Sequence, residues 1–261
     1  MRRSVKSAKS ARQVPVSSSD RLTPRGWLAS RPLQTGERLY VIIGNASDAV
    51  PLNALYQREA SAEPIPIWGG TPYADWQPVM PYLVELKPGS AFLEWIAETD
   101  AEDWGWLAVS SSPPDVVFEH LRSLTQVRMP DGTEVFFRFW DGRHLQPILE
   151  GLGAGAGELL PVFERYLING QPLDVGARGV PPAKAWPWWE VPQELLDQLT
   201  AKDPTPLIDN LMQWLSEERP DLYAAYPESN LRHKVARFVR RPDAPKPVNE
   251  ALLNHLILEQ G

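Results

Sequence analysis

The stretch DGTEVFFRFWDGRHL, residues 131–145, restricts the fold more than any other. Pro130-Asp131-Gly132 is a turn in which proline sets φ and glycine accepts a left-handed backbone, between two β-prone runs. Residues 125–129 lead in and residues 134–140 lead out, so the spacing predicts a hairpin. In the second strand Val135, Phe137 and Phe139 share one face, and Phe136, Arg138 and Trp140 the other. Aromatic residues on both faces imply a strand covered on both sides, inside a sheet. Arg138 then needs a carboxylate or carbonyl partner, and Asp141 or Glu85 is the expected one. Arg138, Asp141 and Arg143 are thus expected to form a structural cluster.

Short apolar runs at residues 39–43, 82–86 and 104–109 read as strands, with a looser one at 162–168. Helical spacing lies between them, over 48–57, after Ser90, over 112–124 and over 143–150. Strands alternating with helices predict an α/β (α+β) lobe with a mixed sheet flanked by helices. Residues 171–191 are rich in Pro, Gly and Trp and read as a linker. Beyond them Leu207, Ile208, Leu211, Met212 and Leu215 form an apolar stripe behind Thr205-Pro206, and further helices are expected over 231–241 and 248–258. The expected division is a disordered basic tail at 1–31, the α/β lobe at 32–170, the linker at 171–191 and a small all-α lobe at 192–261.

Charge separates the tail from the body. Residues 1–31 hold eight Lys or Arg against Asp20 alone, whereas the remainder holds 18 basic and 32 acidic residues. An acidic body argues against broad nucleic-acid binding. The tail lacks the apolar centre of a secretory signal, and no run is long enough to span a bilayer. With no cysteine there is neither a thiolate metal site nor a cysteine nucleophile.

The search for chemistry yields little. His120, His144, His233 and His255 lack a second ligand at metal-binding spacing in their own elements. Gly151-Leu152-Gly153-Ala154-Gly155-Ala156, with Asp174 beyond it, fits a dinucleotide fingerprint in spacing but follows a predicted helix, whereas the fingerprint needs a preceding strand. Asp100, Glu102 and Asp103 read as a solvated loop. No catalytic, cofactor-binding or metal-binding residue is assigned. The alternative is an α/β enzyme using Asp141, Arg138 and a histidine in a buried pocket. Two stretches suit protein contacts instead: Trp186, Trp188 and Trp189 in a proline-stiffened segment, and the basic face of the 231–241 helix with Arg237, Arg240 and Arg241.

The ordered motifs resemble a known family. Leu39-Tyr40-Val41-Ile42-Ile43, Leu55-Tyr56, Gly70-Thr71-Pro72-Tyr73, Pro81-Tyr82-Leu83-Val84, Trp104-Gly105 and His120-Leu121-Arg122 occur in the order seen in the bacterial type VI secretion effector adaptor/chaperone family, a domain of unknown function. The chain departs from that pattern at Gly44-Asn45-Ala46, where the family has an acidic residue and Gly-Ala. It departs again at Trp140-Asp141-Gly142-Arg143, where the family has Tyr-Asp-Pro-Arg. The resemblance implies a non-enzymatic cytoplasmic adaptor without cofactor. Its partners would be a cognate toxic effector and the spike (valine-glycine repeat) protein, with neither nucleic acid nor membrane.

Overall fold

The computed structural model describes residues 21–176, 182, 184–241 and 247–259. The tail over 1–20 and parts of the linker lie outside the described residues. The sheet has six strands in the order β2-β3-β1-β4-β7-β8. They are β1 (Arg38–Gly44), β2 (Ile65–Pro66), β3 (Pro81–Leu86), β4 (Gly105–Ser110), β7 (Arg165–Ile168) and β8 (Gln171–Asp174). Its five ladders are all antiparallel, where the alternation of elements had suggested a mixed sheet. The reason lies in β1, which runs opposite to both its neighbours, so that the helical crossover from β3 to β4 passes over it.

β1 is central because its residues are apolar whichever way they point. Leu39, Val41 and Ile43 enter a core with Trp27, Leu55, Phe92 and Leu93, supplied by α1 (Pro24–Ser30), α2 (Pro51–Arg58) and α3 (Phe92–Glu98). Tyr40 and Ile42 enter the opposite core with Trp106, Leu121, Leu145, Leu159 and Leu195. This second layer consists of α4 (Pro114–Ser123), α5 (Gly142–Leu152), α6 (Ala156–Leu159) and α7 (Gln193–Lys202). A third core, with Leu215, Leu231, Phe238 and Leu252, joins α8 (Thr205–Glu218), α9 (Pro220–Ala224), α10 (Glu228–Val239) and α11 (Val248–Leu258). The α/β lobe followed by an all-helical region is the architecture expected from sequence.

Four local expectations change. The hairpin of β5 (Gln126–Arg128) and β6 (Glu134–Phe136) is a separate two-stranded sheet, not part of the main one. β6 stops at Phe136 because the backbone leaves the ladder: Phe139 N donates to the Phe137 carbonyl at 2.9 Å. Residues 24–30 of the expected tail are helix α1, capped by Thr23, whose hydroxyl accepts from Gly26 N at 3.1 Å. The burial of Trp27 over the guanidinium of fully buried Arg165, 5.0 Å away, holds α1 in the body. The expected linker opens with β8, turned by Asn169 (φ 50°) and Gly170 (φ 76°) as a tight hairpin loop. Finally, α7 belongs to the core of the sheet body through Leu195. A Cβ at Gly151 would lie 2.6 Å from Leu195, so this glycine serves close packing of α7 on α5. That gives the glycine-rich run a role unrelated to phosphate binding, and the segment before it is α5, a helix.

Candidate functional site

Asp141 caps α5 and gathers the charges of its neighbourhood. Its Oδ1 accepts from Arg143 N at 3.0 Å and from Arg143 Nε at 3.1 Å. Its Oδ2 accepts from a terminal nitrogen of Arg143 at 2.9 Å and from one of Arg138 at 3.0 Å. The carboxylate is 1% exposed while the two guanidiniums are about half exposed, so the acid is enclosed and its partners reach solvent. Arg143 also meets Asp103 at 3.4 Å, and Asp103 accepts from the Ser47 hydroxyl at 2.7 Å. The hydrogen bond to Asp141 pushes the Arg143 pKa up. His144 Nε2 stands 3.7 Å from Asp141. Burial lowers its pKa, with Asp141 opposing and Arg138 and Arg143 reinforcing. Both oxygens of Asp141 are thus occupied by fixed donors, an arrangement that clamps a helix start to a sheet end and leaves no lone carboxylate for proton transfer. Glu85, the other partner considered for Arg138, pairs with Arg38 at 3.3 Å.

The two places where the chain departs from the resembled pattern meet here. A Cβ on Gly44 would stand 2.6 Å from Trp140 Cδ1, so the indole occupies the space that the glycine leaves. Gly142 is enclosed in the same way, its missing Cβ 3.0 Å from Ile168 and 3.2 Å from the Glu102 carbonyl. One departure therefore accommodates the other.

The tryptophan segment is tied to the hairpin. Arg128 N donates to the Trp189 carbonyl and Val191 N to the Arg128 carbonyl, each at 2.9 Å. Trp189 packs on Phe137 with ring centroids 5.7 Å apart. Trp188 Nε1 donates to Ser123 Oγ at 2.9 Å, and Lys184 Nζ lies 4.8 Å from its ring centre. Trp186 lines a cleft of 340 Å³ with Glu119, Arg122, Ser123, Lys184 and Ala185. Trp188 and Trp189 are therefore anchored within the protein, and Trp186 faces the cleft.

Beside Trp188 sits His120, its ring 6.0 Å away, with Nε2 2.8 Å from the Leu159 carbonyl. Burial lowers the His120 pKa, and the Leu159 carbonyl opposes it. The unfolded chain then takes up a proton before the folded one does. Stability is expected to be full above about pH 6.5 and to fall as the pH drops below that value toward the folded-state pKa. His144 adds to the fall with the same sign. Thermal melts of wild type and His120→Gln across this range check it: the variant should show a flatter slope, and an identical slope would remove His120 as the cause.

A comparison with known families falls on the sheet body. Residues 39–156 match the family model described as Domain of unknown function (DUF4123). The DUF4123 stretch runs from the second residue of β1 to the first of α6. It contains the Asp141 hub and excludes the tryptophans, α7 and the third core. No curated protein and no solved structure matches the chain.

Outside the DUF4123 stretch, α10 buries Leu231, Val235 and Phe238. Its outer face is less cationic than the sequence suggested. Glu259 on the far side of α11 pairs with Arg237 at 3.0 Å and with Lys234, and Asp209 pairs with Arg232. Hydrogen bonding from Lys234 chiefly lowers the Glu259 pKa. Arg241 lies over the Phe238 ring at 6.0 Å, and Arg240 caps the helix end. The arginines belong to the third core and the tryptophans to the sheet body, so the two predicted surfaces rest on different packing units.

One feature of the DUF4123 stretch went unassigned in the sequence. Trp68, Tyr73, Trp76 and Phe136 form a set of mutually packed rings, with centroids between 4.8 and 6.3 Å apart. Trp68 is buried at its base and Trp76 is 45% exposed at its top. The tryptophan-rich loop carried the signal, but only contact with Phe136, far along the chain, shows which ring remains outside.

Proposed function

We propose that the chain is a non-enzymatic adaptor that binds a cognate type VI secretion effector in the cytoplasm and helps load it onto the spike protein at the tube tip. The observation that carries this reading is the DUF4123 match over residues 39–156, together with the ordered motifs by which the same stretch resembles the effector adaptor family. The Asp141 geometry supports it, because the one charged cluster considered for catalysis is fully engaged in holding α5. Effector contacts are assigned to Trp186 and the cleft beside it, with Trp188 and Trp189 positioning that segment, and to Arg237, Arg240 and Arg241 on the helical lobe. The test is co-expression of the tagged chain with the effector encoded beside it and with the spike protein. Co-purification of either partner is the expected result. Recovery of the chain alone in both cases overturns the adaptor reading.

A further inference from the structure

Exposed apolar side chains are unevenly distributed. Of the eight large hydrophobic residues that are exposed among those described, Val50, Tyr56, Ile65, Trp76 and Val79 fall between residues 50 and 79. Hydrogen bonds draw this stretch together around Gln77, whose carbonyl accepts from Asn45 Nδ2 at 2.7 Å and whose side chain accepts from the Tyr82 hydroxyl at 3.2 Å. Tyr82 faces Pro66 in the ladder, which sets Ile65 beside it. The Tyr56 phenol lies close enough to add to burial in raising the Tyr82 pKa. Trp76, Val79 and Ile65 thus crown the aromatic set at the β2–β3 edge of the sheet, away from the tryptophan cleft in sequence and in packing.

The charge around this surface has one sign. From residue 45 to residue 85 the only base is Arg58, against Asp48, Glu59, Glu63, Asp75 and Glu85. Arg58 is committed to Glu98 at 3.0 Å, Glu85 to Arg38, and Glu59 to the Ser90 hydroxyl and Ala91 N at the start of α3. Asp48, Glu63 and Asp75 remain exposed and have no ion-pair partner among the described residues. An aromatic surface rimmed by uncompensated carboxylates matches a partner that is apolar at its centre and cationic around it.

We infer that the Trp76–Val79–Ile65 surface docks a basic polypeptide segment of a protein partner, with an apolar side chain of that segment seated against Trp76 and its lysines or arginines facing Asp75 and Glu63. This surface deepens the adaptor reading by assigning a second contact of distinct chemistry, and rests on that reading only for which protein supplies the segment.

Calorimetry on the full chain tests it, with a synthetic amphipathic Leu/Lys peptide and its Leu/Glu twin as probes. The Lys peptide is expected to bind and the Glu twin to fail. Trp76→Ala should weaken binding on the order of tenfold or more, as loss of a central aromatic anchor does. Asp75→Lys with Glu63→Lys, at exposed positions that leave melting unchanged, should weaken it as well and remove its salt dependence. Equal binding of the two peptides, or wild-type binding by both variants, overturns the proposal. Binding that appears only after deletion of residues 1–20 gives the surface to the chain's own basic segment and also overturns it. Neither probe contains effector sequence, so failure here leaves the co-expression result standing. Absence of a complex there likewise leaves this result standing.

Discussion

Gly105→Ala is expected to prevent folding to a soluble protein, with a loss of more than about 4 kcal/mol, at the severe end for a single substitution. Gly105 begins β4 with φ +144°, a backbone conformation that side chains rarely adopt. The added Cβ would stand 2.0 Å from the Ile42 carbonyl oxygen and 3.2 Å from Ile43 Cα. Both are backbone atoms of β1, the strand buried on each face, and neither can move without parting the β1–β4 ladder. Gly36 is the control. It has φ +91° with nothing within 4 Å, so Gly36→Ala should cost only the strain of its conformation, about 1 kcal/mol. Soluble yield and urea midpoints of the two variants decide the matter. A Gly105→Ala protein as stable as Gly36→Ala would contradict the described strand spacing.

Asp141→Ala is expected to lower stability by about 2–4 kcal/mol, from loss of a helix cap and of the buried acid that holds two guanidiniums. The half-exposed arginines can turn to water, which keeps the loss below that of a fully buried pair. Asp141→Asn retains an oxygen for Arg143 N and should lose less, about 1–2 kcal/mol. Urea denaturation of both variants gives the two values. Partner binding by Asp141→Asn, measured where it remains folded, should equal wild type. An unchanged urea midpoint with loss of a measurable reaction would instead move Asp141 from architecture to chemistry.

These two positions also mark what the sequence could disclose. The continuous apolar run around Val41 identifies a doubly covered strand, and the helical stripe at Leu207–Leu215 identifies α8, because both depend on local periodicity. Arg138 and Asp141, three residues apart, were legible as a pair for the same reason. Other features depended on distance along the chain. Glu259 neutralises α10 from another helix, and Trp76 stays outside because Phe136 and Trp68 occupy the space beneath it. The helix α1 had a local signature, Thr23-Pro24, that its three arginines disguised as tail. In the hairpin, alternating aromatics extended the predicted strand past Phe136. Phe137 and Phe139 are indeed buried, but by an irregular segment whose Phe139 carbonyl accepts from the Trp106 indole at 2.7 Å. Burial pattern alone does not distinguish that segment from a strand.

The outer strands of the sheet have a bearing on how such a protein handles another chain. In β2, Ile67 N donates inward to the Pro81 carbonyl at 2.9 Å, so alternation turns residues 64 and 66 outward, and both are proline. In β8, the tight turn at Asn169-Gly170 sets Gln171 and Leu173 inward and Pro172 outward. Each rim therefore lacks the amide hydrogens on which an incoming strand would template. A carrier built this way cannot be zipped into the sheet of the polypeptide it holds, nor stack on copies of itself. Whatever it grips, it grips through side chains, and a grip of that kind opens one contact at a time.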